Sequence, residues 1–446
     1  MNLENRLTNV AIIGAAGKMG SGIALLLAQE MALQKLKPEN KGKIYRLNLI
    51  DTDDNALDGL LLYLKDQALK TAEKSMVMLR DLYADRQDLV ENSEIIQQYL
   101  QDVISVARVG TDLNLAAKSH MVFEAIVENV EIKIKVFKQL KAMCGETTFF
   151  FTNTSSVPIH LVDHGAALDG RIIGFHFYNP PPIQKLAELI PTKETKKELI
   201  DLAYEIADRL KKKIFLSADV AGFIGNGHFL RDGLHAISEM ERLMKSFKRF
   251  EAIYIVNKVS QDLLLRPMGI FQLIDYVGVD VFFFISKIMD KYIESEKLDH
   301  PFIDAMFEKK ILGGQRADGS QKDGFLKYDK NRPVGVYDFE SSNYVMFDAA
   351  DWTGNVDKII GVYPETWSPW KVLLRDGEKD KKMELFFNQL RGKQTMGAEI
   401  ALNYLKRSKQ IGQQLVESGI AKNADDVNGV LVNGFYHLYG PINMYV

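Results

Sequence analysis

The chain has 446 residues, a formal net charge of −3, 46% hydrophobic residues and 26% charged residues. This length exceeds what one hydrophobic core usually serves, so two or more domains are expected. The balanced charge excludes the basic footprint of a nucleic-acid or acidic-membrane partner, and a single cysteine, Cys144, excludes a disulfide and a cysteine-based metal site. With no signal-peptide pattern and no apolar run long enough to span a bilayer, a cytoplasmic protein without a metal is expected.

The first feature with chemical meaning is a glycine-rich turn between a strand and a helix. Asn9–Ile13 reads as a buried strand, and it runs into GAAGKMG at 14–20, which opens a helix. Glycines at such a turn let the backbone approach a pyrophosphate, and the helix N-terminus supplies free amides. The pattern GxxGxxG is one residue longer than the common dinucleotide fingerprint. Its place at the first strand–helix junction favours a dinucleotide site over a turn without a ligand.

An acidic residue ends the second predicted strand, Ile44–Ile50. Asp51 at this position would bond the ribose hydroxyls of adenosine and repel a 2′-phosphate, so NAD is predicted in preference to NADP. The interval from Gly14 to Asp51 exceeds the ~20 residues of the common fingerprint. The excess is assigned to a polar surface insertion at 34–43.

Residues 55–105 are polar, helical in pattern and too long for a simple crossover, so two helices are expected there. Further strands are predicted at Val106–Val109, Met121–Glu124 and Thr147–Phe151. The last of these strands is followed by Asn153 to Ser156. Within that segment Ser155 reads equally well as a helix cap before Pro158 and as a substrate contact.

The stretch from Arg171 to Ile190 predicts two strands about a proline-rich turn. If the strands are antiparallel about Pro182, His176 and Glu188 lie opposite each other, within side-chain contact. A carboxylate beside an imidazole fixes its tautomer and raises its basicity, which makes His176 a candidate general base. Taken alone, the pair reads more readily as a structural contact of a core histidine.

The distribution of polar features along the chain favours the general-base interpretation of His176 over the structural one. Polar or glycine-rich residues follow the predicted strands at the Gly14 turn, Asp51, Glu124 to Glu128, Ser155 and His176. In an open parallel sheet the ligand lies beyond the carboxyl ends of the strands. These features are therefore predicted to meet at one ligand-binding edge.

The pattern changes at Val220, after which long helices prevail. Residues 313–378 carry Gly and Asn-Arg-Pro punctuation and all three tryptophans, and they are interpreted as an irregular connector. Helices resume after Lys379, and their order and lengths echo the helices that follow Gly222.

The sequence therefore predicts an α/β N-terminal Rossmann-like domain with a mostly parallel sheet, followed by an all-α C-terminal region that is a tandem of helical domains. The predicted boundaries are 1–219 for the NAD-binding domain, with a helical insertion at about 55–105; 220–312 for the first helical domain; 313–378 for the connector; and 379–446 for a divergent, truncated second helical copy.

Five motifs resemble the L-3-hydroxyacyl-CoA dehydrogenase family of fatty-acid and aromatic-acid breakdown, in its long, 3-hydroxybutyryl-CoA dehydrogenase-like form. They are the Gly14 turn, FEAIVENVEIK at 123–133, NTSS at 153–156, GFHFYNPPPIQKLAELI at 174–190 and AGFIGN at 221–226. The resemblance implies an NAD-dependent oxidoreductase of beta-oxidation type. Its reaction would convert an L-3-hydroxyacyl-CoA to the 3-ketoacyl-CoA, reversibly.

The resemblance also implies roles for individual residues. The general base and the glutamate that orients it correspond to His176 and Glu188, and the residues that hold the substrate oxygen correspond to Ser155 and Asn226. The residues that correspond to the NAD contacts are Gly14, Gly17, Lys18, Met19, Gly20, Asp51, Ala125, Glu128, Lys133, Ser155 and Asn179. Lys74 is a candidate contact for a CoA phosphate, and Gly227 stands where the family usually has arginine.

Alternatives stay open within and beyond this family. Relatives that oxidise a CoA-free hydroxy acid, such as a sugar acid or carnitine, resemble the chain at the same motifs. A non-catalytic NAD-binding scaffold is an alternative of another class. The expected partner is an acyl-CoA substrate, and the oligomer is either a homodimer or a monomer in which the second helical copy makes the dimer contact within the chain.

Overall fold

The structure, a computed structural model, describes residues 1–316 and 319–446 and divides the chain into two compact units. Unit 1 is Met1–Asp219 and unit 2 is Val220–Val446. Each unit has its own hydrophobic core. No helix in the described part of the chain combines the length and the apolar character needed to cross a membrane.

Unit 1 is built around an eight-stranded sheet with the order β3-β2-β1-β4-β5-β6-β7-β8. The strands are β1 (Asn9–Ile13), β2 (Arg46–Ile50), β3 (Ala107–Gly110), β4 (Met121–Glu124), β5 (Phe149–Thr152), β6 (Ile172–Phe177), β7 (Leu186–Ile190) and β8 (Lys213–Leu216). Neighbouring strands run parallel, except that β7 is antiparallel to β6. Aromatic and β-branched residues fill these strands, and Phe151 contacts both Phe123 and Phe175 within the core. The predicted, mostly parallel sheet is confirmed.

Helices cover this sheet and connect its strands. They are α1 (Leu3–Arg6), α2 (Lys18–Lys35), α3 (Asp54–Lys74), α4 (Met76–Leu82), α5 (Asn92–Ser105), α6 (Val130–Met143), α7 (Ile159–Ala166) and α8 (Lys197–Arg209), with 3-10 turns at Pro38–Asn40 and Leu113–Ala116. The expectation of two helices after β2 is wrong, because α3, α4 and α5 all lie there. Ser75, with φ −120° and ψ 25°, alone separates α3 from α4.

Because β1, β2, β4, β5 and β6 run in one direction, their carboxyl ends lie at one edge of the sheet. The register pairs Ile13 with both Ile50 and Glu124, and Glu124 with Thr152. Gly14, Asp51, Ala125, Asn153 and Tyr178 each follow directly after one of these strands. The predicted gathering of polar features at one edge is confirmed.

Unit 2 is mostly helical and contains a small three-stranded sheet, β11-β10-β9. Its helices are α9 (Gly225–Leu243), α10 (Arg249–Asp262), α11 (Ile270–Val277), α12 (Val279–Tyr292), α13 (Pro301–Glu308), α14 (Trp352–Ile360), α15 (Trp370–Leu373), α16 (Lys379–Arg391), α17 (Met396–Glu417) and α18 (Ala424–Gly434). Its strands are β9 (Leu326–Asp329), β10 (Arg332–Asp338) and β11 (Asn343–Met346). The predicted helical character of this region is confirmed, although the small sheet was not predicted.

The interpretation of 313–378 as an irregular connector is wrong over much of its described length. The antiparallel strands β9 to β11 and the helices α14 and α15 lie within it. The two turns of the sheet take their positive φ at Lys330 (58°) and Ser342 (54°), so the glycine signal of a hairpin is missing. Buried Asp275 of α11 anchors the sheet, because its carboxylate accepts hydrogen bonds from the backbone N–H groups of Phe325 and Leu326.

One backbone contact occurs twice in unit 2. Asn257 of α10 and Asn428 of α18 each accept a hydrogen bond on Oδ1 from the backbone of the segment that follows their helix, at 2.9 and 3.0 Å. Gly269 and Gly440 leave room for these asparagines, since an added Cβ would lie 2.3 and 2.1 Å from the respective Oδ1. Both glycines stand at the same interval from their asparagine. This correspondence supports our proposal that residues 379–446 are a second helical copy.

Candidate active site

The glycine turn leaves no room for side chains between β1 and α2. Gly14 has φ +78°, and a Cβ there would lie 2.6 Å from the backbone oxygen of Ala125. A Cβ on Gly20 would lie 2.0 Å from the oxygen of Gly14. Gly17 is the N-cap of α2 and offers no side chain to its first amides. The turn and the helix N-terminus therefore fit the pyrophosphate of a dinucleotide.

The side chain of Asp51 accepts a hydrogen bond from the backbone of this turn. Its Oδ2 accepts a hydrogen bond from the backbone N–H of Ala16 at 2.9 Å, and its Oδ1 accepts one from Thr52 N at 2.8 Å. The longer glycine pattern thus places an amide of the turn against the carboxylate. Each carboxylate oxygen has more than one acceptor site, so Asp51 keeps capacity for ribose hydroxyls.

A buried ion-pair row follows β4. Lys133 Nζ lies 2.7 Å from Glu124 Oε1 and 3.4 Å from Glu128 Oε2. Burial lowers the pKa of Lys133, but the two carboxylates outweigh it and the pKa is raised. Burial opposes the charge of Glu128, but Lys133 and hydrogen bonds from the segment after β5 lower its pKa. Lys133 and Glu128 are therefore both charged, and their ion pair fixes the loop after β4.

Glu128 in turn organises the segment after β5. Its Oε1 accepts hydrogen bonds from Thr154 Oγ1 at 2.6 Å, Ser155 N at 2.8 Å and Ser156 N at 2.9 Å. Ser155 Oγ lies 3.3 Å from the same oxygen. Ser155 and Glu128, two of the predicted site residues, are thus in direct contact, and the position of Ser155 depends on the carboxylate.

The β6–β7 hairpin has the register predicted from a turn centred on Pro182. His176 pairs with Glu188 across the strands, and Nδ1 lies 3.3 Å from Oε1. Glu188 is fully buried, and His176 is 7% exposed. The hydroxyl of Tyr178 donates to the same Oε1 at 2.7 Å. A buried carboxylate against one imidazole nitrogen is an arrangement that supports general base chemistry.

The proline turn of this hairpin is held from two sides. The Nζ of buried Lys212 donates to the backbone oxygens of Pro181 (2.5 Å) and Gln184 (2.6 Å). Gly22 of α2 faces the turn, where an added Cβ would lie 2.7 Å from Pro181 Cδ. The turn that carries Asn179 is therefore packed against the helix that begins at the glycine turn.

The other predicted site residues take the following places. Lys18 and Met19 begin α2, and Asn226 lies in the first turn of α9, in unit 2. That Asn226 joins the site stays a prediction. At Gly227 an added Cβ would lie 3.2 Å from Leu415 of α17, so glycine suits the close packing of α17 at this position.

Sequence reasoning missed several side chains that support the site. Tyr178 and Lys212 had no assigned role, and Glu124 was predicted only to lie at the ligand-binding edge, although each is buried or half-buried against candidate site residues. The available signal for Tyr178 was its spacing, because residues 176 and 178 of an extended chain lie on the same face. Glu124 ends a strand, and a charge at that position within an apolar run is another such signal.

A glycine turn at the first strand–helix junction, an acid after β2 and a histidine–carboxylate pair at the same sheet edge define the class of nucleotide-dependent dehydrogenases. Comparison with known proteins identifies the family. The family model described as "3-hydroxyacyl-CoA dehydrogenase, NAD binding domain" matches residues 52–220. The model described as "3-hydroxyacyl-CoA dehydrogenase, C-terminal domain" matches residues 248–328.

Individual relatives agree with the family models. A probable 3-hydroxybutyryl-CoA dehydrogenase of Deinococcus radiodurans is 30% identical over 223 residues, which cover 50% of this chain and 78% of that protein. The mitochondrial hydroxyacyl-coenzyme A dehydrogenase of Sus scrofa is 27% identical over 321 residues, covering 72% of this chain and 91% of the relative. The chain belongs to the 3-hydroxyacyl-CoA dehydrogenase family. This confirms the resemblance, the enzyme class and NAD as cofactor.

A solved structure extends the likeness in fold beyond the part that the family models match. The crystal structure of 3-hydroxybutyryl-CoA dehydrogenase from Escherichia coli is similar with a TM-score of 0.65 and 18% identity. The similarity covers 98% of this chain and 90% of that chain. The fold of residues after 328 therefore has a counterpart in a known structure.

Proposed function

We propose that the protein catalyses the reversible oxidation of an L-3-hydroxyacyl-CoA to the 3-ketoacyl-CoA with NAD. The observation that carries this proposal is the contact of His176 Nδ1 with buried Glu188 at 3.3 Å, next to the carboxyl end of β6. Membership of the family supports the reaction type, and the ordered position of Ser155 beside Glu128 supports the substrate contact.

The reaction requires removal of a proton from the substrate hydroxyl. With Nδ1 turned to Glu188, Nε2 of His176 is the nitrogen that takes this proton. Glu188 then stabilises the imidazolium in a site with low dielectric, where a neighbouring opposite charge has a large effect. Ser155 holds the oxygen as it becomes a carbonyl. General acid–base help of this kind is typically worth ~10²- to 10⁴-fold in rate.

The residues at the glycine turn fit the cofactor. When bound there, NAD would supply the acceptor for a hydride from C3 of the substrate. The space at Gly14 and Gly20 admits the pyrophosphate, and Asp51 keeps acceptor sites for the ribose hydroxyls. Positioning of the hydride donor, C3 of the substrate, against the nicotinamide that accepts the hydride should contribute more to the rate enhancement than general acid–base catalysis does. The CoA part is proposed to lie along the helical insertion, where Lys74 is exposed in the last turn of α3.

The test is to mix the purified protein with NADH and acetoacetyl-CoA and to follow the absorbance of the reduced nicotinamide. Free acetoacetate at the same concentration is the matched control. Rapid oxidation with the CoA ester alone is expected. NADH oxidation with a free keto acid alone, or reduction of NAD with a free hydroxy acid alone, would move the assignment to a CoA-free substrate. NADH binding with no oxidation of any of these substrates would favour the non-catalytic scaffold.

A further inference from the structure

Tyr178 contacts the carboxylate that orients the proposed base. Its hydroxyl donates to Glu188 Oε1 at 2.7 Å, which is shorter than the 3.3 Å between His176 Nδ1 and the same oxygen. The rings of Tyr178 and His176 have centroids 4.8 Å apart. One carboxylate oxygen therefore faces two donors, and the phenol makes the closer contact.

The phenol keeps its proton over the range in which the enzyme works. Burial and the neighbouring Glu188 carboxylate raise the pKa of Tyr178 well above its usual value. Because Glu188 is fully buried, solvent does not supply a substitute donor at that oxygen. The hydrogen bond from Tyr178 is thus a fixed part of the surroundings of Glu188.

We infer that Tyr178 is a positioning residue that sets how strongly Glu188 holds a proton on His176. Its hydrogen bond fixes the carboxylate in place. The same bond reduces the negative charge that the carboxylate presents to the imidazole. The inference rests on the proposed function, since it takes His176 as the base and Glu188 as its partner.

The physical basis is the effect of one hydrogen bond on the acceptor strength of the same carboxylate. A hydrogen bond donated to a carboxylate stabilises its charged form and makes it a weaker acceptor for other donors. Glu188 faces His176 from β7, and Tyr178 faces it from beyond the end of β6. With the phenol present, the imidazolium that forms in the reaction gains less stabilisation from Glu188. A base must be neutral to accept the hydroxyl proton.

The experiment is the pH profile of Tyr178→Phe, which removes the hydroxyl and keeps the ring. For oxidation of 3-hydroxybutyryl-CoA, the acid limb of kcat/KM is expected to move up by ~0.5–1 pH unit. On that limb, kcat/KM then falls by about threefold to tenfold at a given pH. Tyr45→Phe is the matched control, because Tyr45 is buried immediately before β2, at the opposite edge of the sheet. Its profile is expected to match the wild type.

A second measurement does not need turnover. The titration of the His176 ring is followed by ¹⁵N NMR in the wild type and in Tyr178→Phe, with the signal identified by its loss in His176→Gln. The midpoint is expected to rise by the same ~0.5–1 pH unit. If the wild type shows no activity on hydroxyacyl-CoA and the midpoint still moves, the proposed function fails while the coupling stands.

Two results would overturn the inference. An acid limb and a midpoint that both stay within about 0.2 pH unit of the wild type would make Tyr178 a packing residue only. A raised KM for NAD or for the CoA ester, with neither the limb nor the midpoint moved, would place Tyr178 against a ligand instead of behind the base.

Discussion

Both units bury charged side chains, and the two clusters differ in where they lie. In unit 1, Lys133 joins Glu124 and Glu128, and Glu128 bonds the segment of Ser155, at the edge where parallel strands end. In unit 2, Arg266 Nη1 lies 2.7 Å from Asp232 Oδ2, and its Nη2 donates to Ser408 at 3.4 Å. That second cluster is enclosed where α17 packs against α9, with His228 3.1 Å from Ser408 Oγ.

The difference shows that burial of charge does not by itself define a functional site. Helix side chains surround Asp232 and Arg266. Loss of one partner of this buried ion pair would lower the free energy of unfolding. The row of unit 1 lies at the proposed ligand-binding edge, and Glu128 holds the segment that carries Ser155. We therefore propose that the first cluster supports the chemistry of the site and that the second stabilises the fold.

Replacement of the proposed base gives the largest expected effect. His176→Gln should lower kcat by ~10²- to 10⁴-fold, because no other group takes the hydroxyl proton, while NADH still binds. The measurements are steady-state kinetics and NADH fluorescence. His164→Gln is the control, since His164 is an exposed histidine of α7 in the same unit. Near-normal turnover in His176→Gln would refute the base assignment.

Disruption of the enclosed cluster should act on stability instead. Arg266→Met leaves the buried carboxylate of Asp232 without its cation, and the free energy of unfolding should fall by ~3–5 kcal/mol. Turnover per folded molecule should stay close to the wild type. Arg407→Met, at a partly exposed arginine of α17, should change stability by no more than ~0.5 kcal/mol. Urea unfolding measures both variants, and an unchanged stability with lost turnover in Arg266→Met would reverse the assignment.

Acid should destabilise the enclosed cluster before the pH reaches the range of ordinary carboxylates. Burial lowers the pKa of His228 from 6.5 to about 4. Between these two pH values the unfolded chain binds a proton at this histidine and the folded chain does not. The stability contributed by neutral His228 is complete above pH 6.5 and is lost as the pH falls towards 4, by about 3 kcal/mol in all. Burial also lowers the pKa of His437, which adds to the loss with the same sign.

Urea unfolding at several pH values between 7 and 4.5 tests this sign and size. His228→Gln should lose part of the pH dependence, because glutamine does not titrate. His164→Gln should keep the wild-type dependence, since His164 is exposed. A pH dependence in His228→Gln equal to that of the wild type would show that another group is responsible.

Much of unit 1 could be predicted because its signals are local. Apolar strands bounded by glycine and acids gave β1 and β4 at their observed limits, Asn9–Ile13 and Met121–Glu124. The prediction that His176 and Glu188 lie opposite each other required only the position of the turn centre, because the register of two antiparallel strands follows from it. The shared edge followed from parallel topology, which orients all the strand ends alike.

Contacts among three or more distant residues could not be predicted. Tyr178 and His176 both contact Glu188 Oε1, and a pairwise rule of register does not show that a third residue joins a cross-strand pair. Asp232, Arg266 and Ser408 meet only because α17 packs on α9, far along the chain. The small sheet was missed because its turns lack the glycines that would have marked them.

The most direct test of this account is the rate of NADH oxidation by acetoacetyl-CoA per folded molecule, measured side by side for the wild type, His176→Gln and Arg266→Met, below the unfolding temperature of each. The account predicts a rapid wild type, a His176→Gln that is folded but lower by ~10²-fold or more, and an Arg266→Met that is less stable but nearly as active as the wild type. A folded His176→Gln with wild-type activity, or a folded Arg266→Met without activity, would contradict it.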